Sequence, residues 1–129
     1  MATVKVDDLA IEISRYLKNY SQEVADLIEE EVDTTAEEIL KDVKASSAWK
    51  DISSSYRKGW DIKKSKKGGS VSRTIHNKTD YQIAHLLELG HLNKDGSRTK
   101  ARPHLRPVSD KHLPQMEQRI NQLIKNGGK

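Results

Sequence analysis

Cysteine and phenylalanine are both absent from the 129-residue chain. Without cysteine there is no disulfide framework and no thiolate metal site. Without phenylalanine, and with aromatics at 5%, the core must be built mainly from aliphatic side chains. Hydrophobic residues make up only 34%, and adding the seven glycines leaves the share below the ~45–50% usual for soluble domains. A core this thin suggests that part of the ordering free energy comes from neighbouring subunits. Long apolar runs are missing too, which argues against a membrane-spanning helix, and the opening residues lack the apolar centre of a secretory signal. A single soluble domain made in a cytoplasm is the expectation.

Charge, by contrast, is plentiful and unevenly placed. Residues 1–45 hold 12 acids and 5 bases, a net of −7, whereas residues 46–129 hold 7 acids and 18 bases, a net of +11. Such polarity favours head-to-tail contact between copies, or a basic face turned toward an acidic partner. The alternative is an acidic helix and a lysine-rich loop that are simply solvated.

Apolar residues recur at steps of three and four from Leu9 through Ala10, Ile13, Tyr16, Leu17, Tyr20, Val24, Leu27 and Ile28, then at Ala36, Ile39, Leu40 and Val43. That spacing predicts one long helix within residues 1–45, from Asp7 to Lys44, ~55 Å at 1.5 Å per residue. Asp7 or Asp8 would cap it, and Thr-x-x-Glu patterns at Thr34 and Thr35 mark a place where it could bend or break. Residues 46–78 read as a serine-rich loop anchored by Trp49, followed by a β-hairpin. One strand places Trp60 and Ile62 on a face; the other places Val71 and Ile75 opposite Ser72, Thr74 and His76. The stretch from Lys63 to Gly69 would be a flexible tip. Residues 79–90 read as a short helix capped by Asp80 and stopped by Gly90. Residues 91–107 form a loop with an Asp95-Gly96 turn and then a stiff extended arm, Arg102-Pro-His-Leu-Arg-Pro107. In that arm Leu105 would point opposite His104 and Arg106. Residues 108–125 form a final helix, starting near Pro107 or only at Pro114. The class is α+β: long N-terminal helix, small antiparallel sheet, short helix, arm, C-terminal helix.

No constellation argues for an enzyme. His85 and Glu88 are three apart on a helix, with His91 beyond Gly90, but the set is incomplete for zinc, and the polar side of a helix accounts for it. There is no nucleophile elbow and no glycine-rich loop ahead of a helix, so neither cofactor nor metal is expected. Two basic groups stand out instead. Lys63, Lys64, Lys66 and Lys67 cluster on the hairpin; Arg98, Lys100, Arg102 and Arg106 cluster on the loop and arm. Either could contact a partner subunit, or neutralise phosphates of double-stranded DNA without reading sequence. A basic DNA-binding module is therefore the alternative function, although no aromatics interleave the bases.

Two segments carry a resemblance. Tyr81-Gln-Ile-Ala-His-Leu-Leu-Glu-Leu-Gly90 and Ala101-Arg-Pro-His-Leu-Arg-Pro107 resemble the Tyr-Ala-x-x-x-Glu-x-Gly and Arg-Pro-x-x-x-Pro segments of the tail-component, or tail-completion, family of tailed phages. The family is typified by the tenth gene product of the Hong Kong ninety-seven phage. The matching positions are Tyr81, Ala84, Glu88 and Gly90, then Arg102, Pro103 and Pro107. Tyr56-Arg57 and Trp60 look like the family's strand entry, with Ser54-Ser55 where Thr-Gly is common. The resemblance covers about residues 50–125, and residues 1–45 only as a helix. It implies a structural virion protein at the head–tail junction. There it would form a ring, as a hexamer, between the connector or stopper and the tail terminator or tube, around the DNA channel.

Overall fold

A computed structural model describes residues 2–5, 10–45, 57–79, 94–97 and 105–127. In chain order these form β1 (Ala2–Lys5), β2 (Ala10–Tyr16), α1 (Gln22–Lys44), β3 (Trp60–Lys67), β4 (Ser70–Asn77) and α2 (Arg106–Lys125). The strands make one antiparallel sheet in the order β1-β2-β4-β3. Both helices lie on one face of it, so the class is α+β, as the sequence indicates.

The N-terminal helix is shorter than expected. Residues 10–16 are a strand, and α1 begins only at Gln22; its 23 residues span ~34 Å. The reason lies in a competing period. Ile11, Ile13 and Arg15 alternate with Glu12, Ser14 and Tyr16, and two β-branched isoleucines favour a pleated surface over a helix. Ile11 and Ile13 are fully buried. The chain then turns at 17–20, and Ser21 caps α1, its Oγ accepting from the Val24 N–H at 3.3 Å. From there the periodicity holds: Val24, Ala25, Ile28, Val32, Ala36, Ile39 and Val43 are buried on one stripe. The helix runs unbroken through Thr34, and Thr35 is buried within it rather than capping anything.

The hairpin is tighter than expected. Strand β3 continues through Lys67, and only Gly68 and Gly69 make the turn, at φ of 59° and 84°. Two positive φ values in succession give the two-residue turn that matches strand twist, which glycine adopts freely. No Lys63–Gly69 loop exists, because the lysines are long enough to satisfy the strand pattern while keeping their ammonium groups in water. Trp60 is buried, Ile62 half-buried, and Val71 and Ile75 buried, as read from the alternation.

Leu105 precedes α2 and is fully buried, while Arg106 is exposed. Leu105 already has helical backbone, however, and α2 starts at Arg106 with Pro107 in its first turn, not at Pro114. Pro114 lies inside the helix on its exposed side, where the carbonyl of Asp110 can turn to water. Met116 and Ile120 complete the core between α1, α2 and the sheet. Residues 94–97 form the expected turn, with Gly96 at φ 90°. Trp49, Asp7, Asp8, all but Thr79 of the short helix expected over 79–90, and most of the arm lie outside the described residues.

Candidate functional site

The register divides the four hairpin lysines into two pairs. Lys64 and Lys66 stand opposite Arg73 and Val71, on the face that α1 covers. Lys63 and Lys67 stand opposite Thr74 and Ser70, on the other face.

On the covered face, Arg73 is the centre of an ion cluster. Its side chain is 6% exposed, although its neighbours in β4 on that face are Val71 and Ile75. Its Nε donates to Asp33 Oδ1 at 2.5 Å, its Nη2 to Glu29 Oε2 at 3.0 Å, and its Nη1 to the Ser72 carbonyl at 3.0 Å. Glu29 and Asp33 are one helical turn apart, so a single guanidinium can take both. Lys66 reaches Glu29 at 3.3 Å and Lys64 reaches Asp33 at 3.8 Å. The hydrogen bonds that Arg73 donates to Asp33 in particular hold its guanidinium's pKa above its ordinary value. This cluster ties α1 to β4 and β3. The sequence does carry a signal for Arg73, its position between Val71 and Ile75 on an alternating strand, because an inward charge requires a partner.

A second set of polar contacts joins α1 to α2. Arg119 Nε donates to Glu31 Oε2 at 2.8 Å and its Nη2 to Thr35 Oγ1 at 3.2 Å. His112 Nε2 lies 2.6 Å from Asp42 Oδ2 and Nδ1 3.4 Å from Glu38 Oε2. The His112 hydrogen bond, helped by Lys111, draws the Asp42 carboxyl below its ordinary range. Arg119 meets the middle of α1 and His112 its end, so the two helices run antiparallel.

The outer face of the sheet is different in kind. Across β2, β4 and β3 its rows read Glu12, Thr74, Lys63; Ser14, Ser72, Ser65; and Tyr16, Ser70, Lys67. Ser14 Oγ donates to Ser72 Oγ at 3.1 Å. Short hydroxyl side chains make this face low and polar, with two exposed ammonium groups along one side. Lys63 and Lys67 make no ion pair among the described residues, and Arg106 is exposed at the start of α2. Chemically, such a face can dock against carboxylates or phosphates.

Of the remaining residues singled out from the sequence, Trp60 is buried beside Asn77 in the sheet register and Pro107 opens α2. Tyr56, Tyr81, Ala84, Glu88, Gly90, Arg98, Lys100, Arg102 and Pro103, with His85 and His91, lie outside the described residues. Among the described residues no group of three His, Asp or Glu side chains is arranged to hold a metal ion, and no helix is long and apolar enough to cross a membrane.

Residues 11–90 match the family model described as "Bacteriophage HK97-gp10, putative tail-component". No curated protein and no solved structure matches the chain.

Proposed function

We propose, from the premise that this chain belongs to the HK97-gp10-like family of bacteriophage tail components, that it is a structural subunit of the neck. Family membership makes it a structural part of a phage tail. The finer reading is that copies close into a hexameric ring at the head–tail junction, between connector or stopper and tail terminator or tube. The ring surrounds the DNA channel and performs no catalysis. Rings of identical subunits need two different, complementary surfaces on each copy. The observation that supports this reading is the separation of charge. Lys63 and Lys67 face outward from the sheet with no ion pair among the described residues, while the exposed side of α1, on the opposite side of the molecule, carries Glu23, Asp26, Glu30 and Glu37.

In phage carrying Lys63→Glu with Lys67→Glu, filled heads and finished tails should accumulate unjoined. A normal yield of infectious particles would overturn the neck assignment. The hydroxyl and lysine rows of the sheet face also favour a second reading, contact with the phosphates of double-stranded DNA. That reading requires duplex binding that weakens steeply with salt; absence of binding at low salt removes it.

A further inference from the structure

The three large apolar side chains most exposed among the described residues are not scattered. Tyr16 (49% exposed), Tyr20 (38%) and Ile124 (38%) surround one cleft of about 300 Å³, whose other walls include Arg15 and Ile120. It lies where the end of β2 and the turn at 17–20 meet the last turn of α2. A cluster of this kind marks a contact surface more often than single exposed residues do. Its polar content is informative too. Arg15 holds Glu117 through one guanidinium nitrogen, but its Nε is buried and has no hydrogen-bond partner among the described residues. A donor withdrawn from water with no acceptor is costly unless something else supplies one. Lys18, in the turn, and Lys125, one residue beyond Ile124, are both exposed. The cleft therefore suits an apolar side chain flanked by carboxylates.

This chain itself carries that pattern. On α1, Leu27 is half-buried between Glu23 and Glu30, both exposed and without ion pairs among the described residues. Glu30 lies roughly 200° around the helix from Ile28, which forms the cleft's inner wall. The two surfaces share no residue and point in different directions. One copy can thus offer its ridge while its own cleft receives the ridge of another.

We infer that the Tyr16–Tyr20–Ile124 cleft is the receiving half of a head-to-tail contact between copies, and that the Glu23–Leu27–Glu30 ridge of α1 is the inserted half. This inference rests on the ring reading and names its surfaces.

The test uses the purified full chain in analytical ultracentrifugation. Wild-type protein should associate beyond a dimer. A cleft variant, Tyr20→Ser with Ile124→Ser, and a ridge variant, Glu23→Lys with Glu30→Lys, should each be monomeric while keeping the wild-type circular dichroism spectrum. Mixed together, they should form a one-to-one dimer, since each retains the surface the other has lost. A wild type that stays monomeric or stops at a dimer, variants that associate like wild type, or a mixture that does not pair would each overturn the assignment. Those outcomes leave the neck reading to be decided separately by the Lys63 and Lys67 phage assay.

Discussion

Replacing Arg73 tests how the sheet edge is held to α1. Breaking a buried ion pair by removing one partner costs ~3–5 kcal/mol, mainly because the other charge stays buried. Here the abandoned carboxylates are not fully enclosed: the side chains of Glu29 and Asp33 are 25% and 36% exposed. Lys66 and Lys64 remain near them at 3.3 and 3.8 Å. The electrostatic part should therefore fall to about 2 kcal/mol. Arg73→Ala also strips the methylene stem from beneath the helix, worth ~0.8 kcal/mol per buried CH₂, for a total of about 3–4 kcal/mol. Arg73→Met keeps the stem and should cost only about 2 kcal/mol. Adding Glu29→Gln and Asp33→Asn to Arg73→Met should recover most of that, because no unpaired charge is then left. Urea unfolding followed by circular dichroism gives each value, with an unchanged m-value as the check that only stability moved. A loss below ~1 kcal/mol for Arg73→Ala would mean that the cluster is an ordinary surface pair. No recovery in the triple variant would mean that the stranded carboxylates are not the source of the cost.

Three further outcomes are expected. Asp42 has a folded pKa below its ordinary 3.8, so the α1–α2 contact contributes stability that is full above that value and is lost as pH falls through the folded value. Asp42→Asn should flatten the acid limb of a melting-temperature profile and leave a smaller difference from wild type at low pH than at pH 7. Gly68, at φ 59°, should cost about 1–2 kcal/mol when changed to alanine and less as asparagine, measured by thermal unfolding. Pro114→Ala should raise stability by up to ~3 kcal/mol, by restoring the hydrogen bond to Asp110 and removing the ring clash; an unchanged melting temperature would show that α2 has already absorbed the proline.

The sequence was legible where one period dominated and ambiguous where two coincided. Strands β3 and β4 alternate in twos, and their inward faces were readable from Trp60, Ile62, Val71 and Ile75. The lower half of the expected helix was readable for the same reason, since Val24 to Val43 repeats only at helical spacing. Residues 10–16 fit both periods: Ala10, Ile13 and Tyr16 suit a helix, Ile11 and Ile13 a strand. The choice falls to the strand because β4 offers an antiparallel partner with Ile75 opposite Ile11, and a local pattern contains no information about that partner. The same limit hid the site. Lysine spacing located a basic hairpin but could not divide it, since which lysines face α1 depends on register with Arg73 and Val71. Arg119 and His112 were likewise invisible as contacts, because their carboxylate partners are 88 and 70 residues away.

Strand β3 borders the sheet with four lysines in eight residues. If a second β3 were laid alongside it in parallel register, the ammonium groups of Lys63, Lys64, Lys66 and Lys67 would crowd those of the other copy. Self-templated lengthening of the sheet at this border, the usual hazard of an edge strand, is thereby opposed electrostatically. At this border the hairpin therefore opposes fibrous growth and leaves contacts between copies to the side-chain faces.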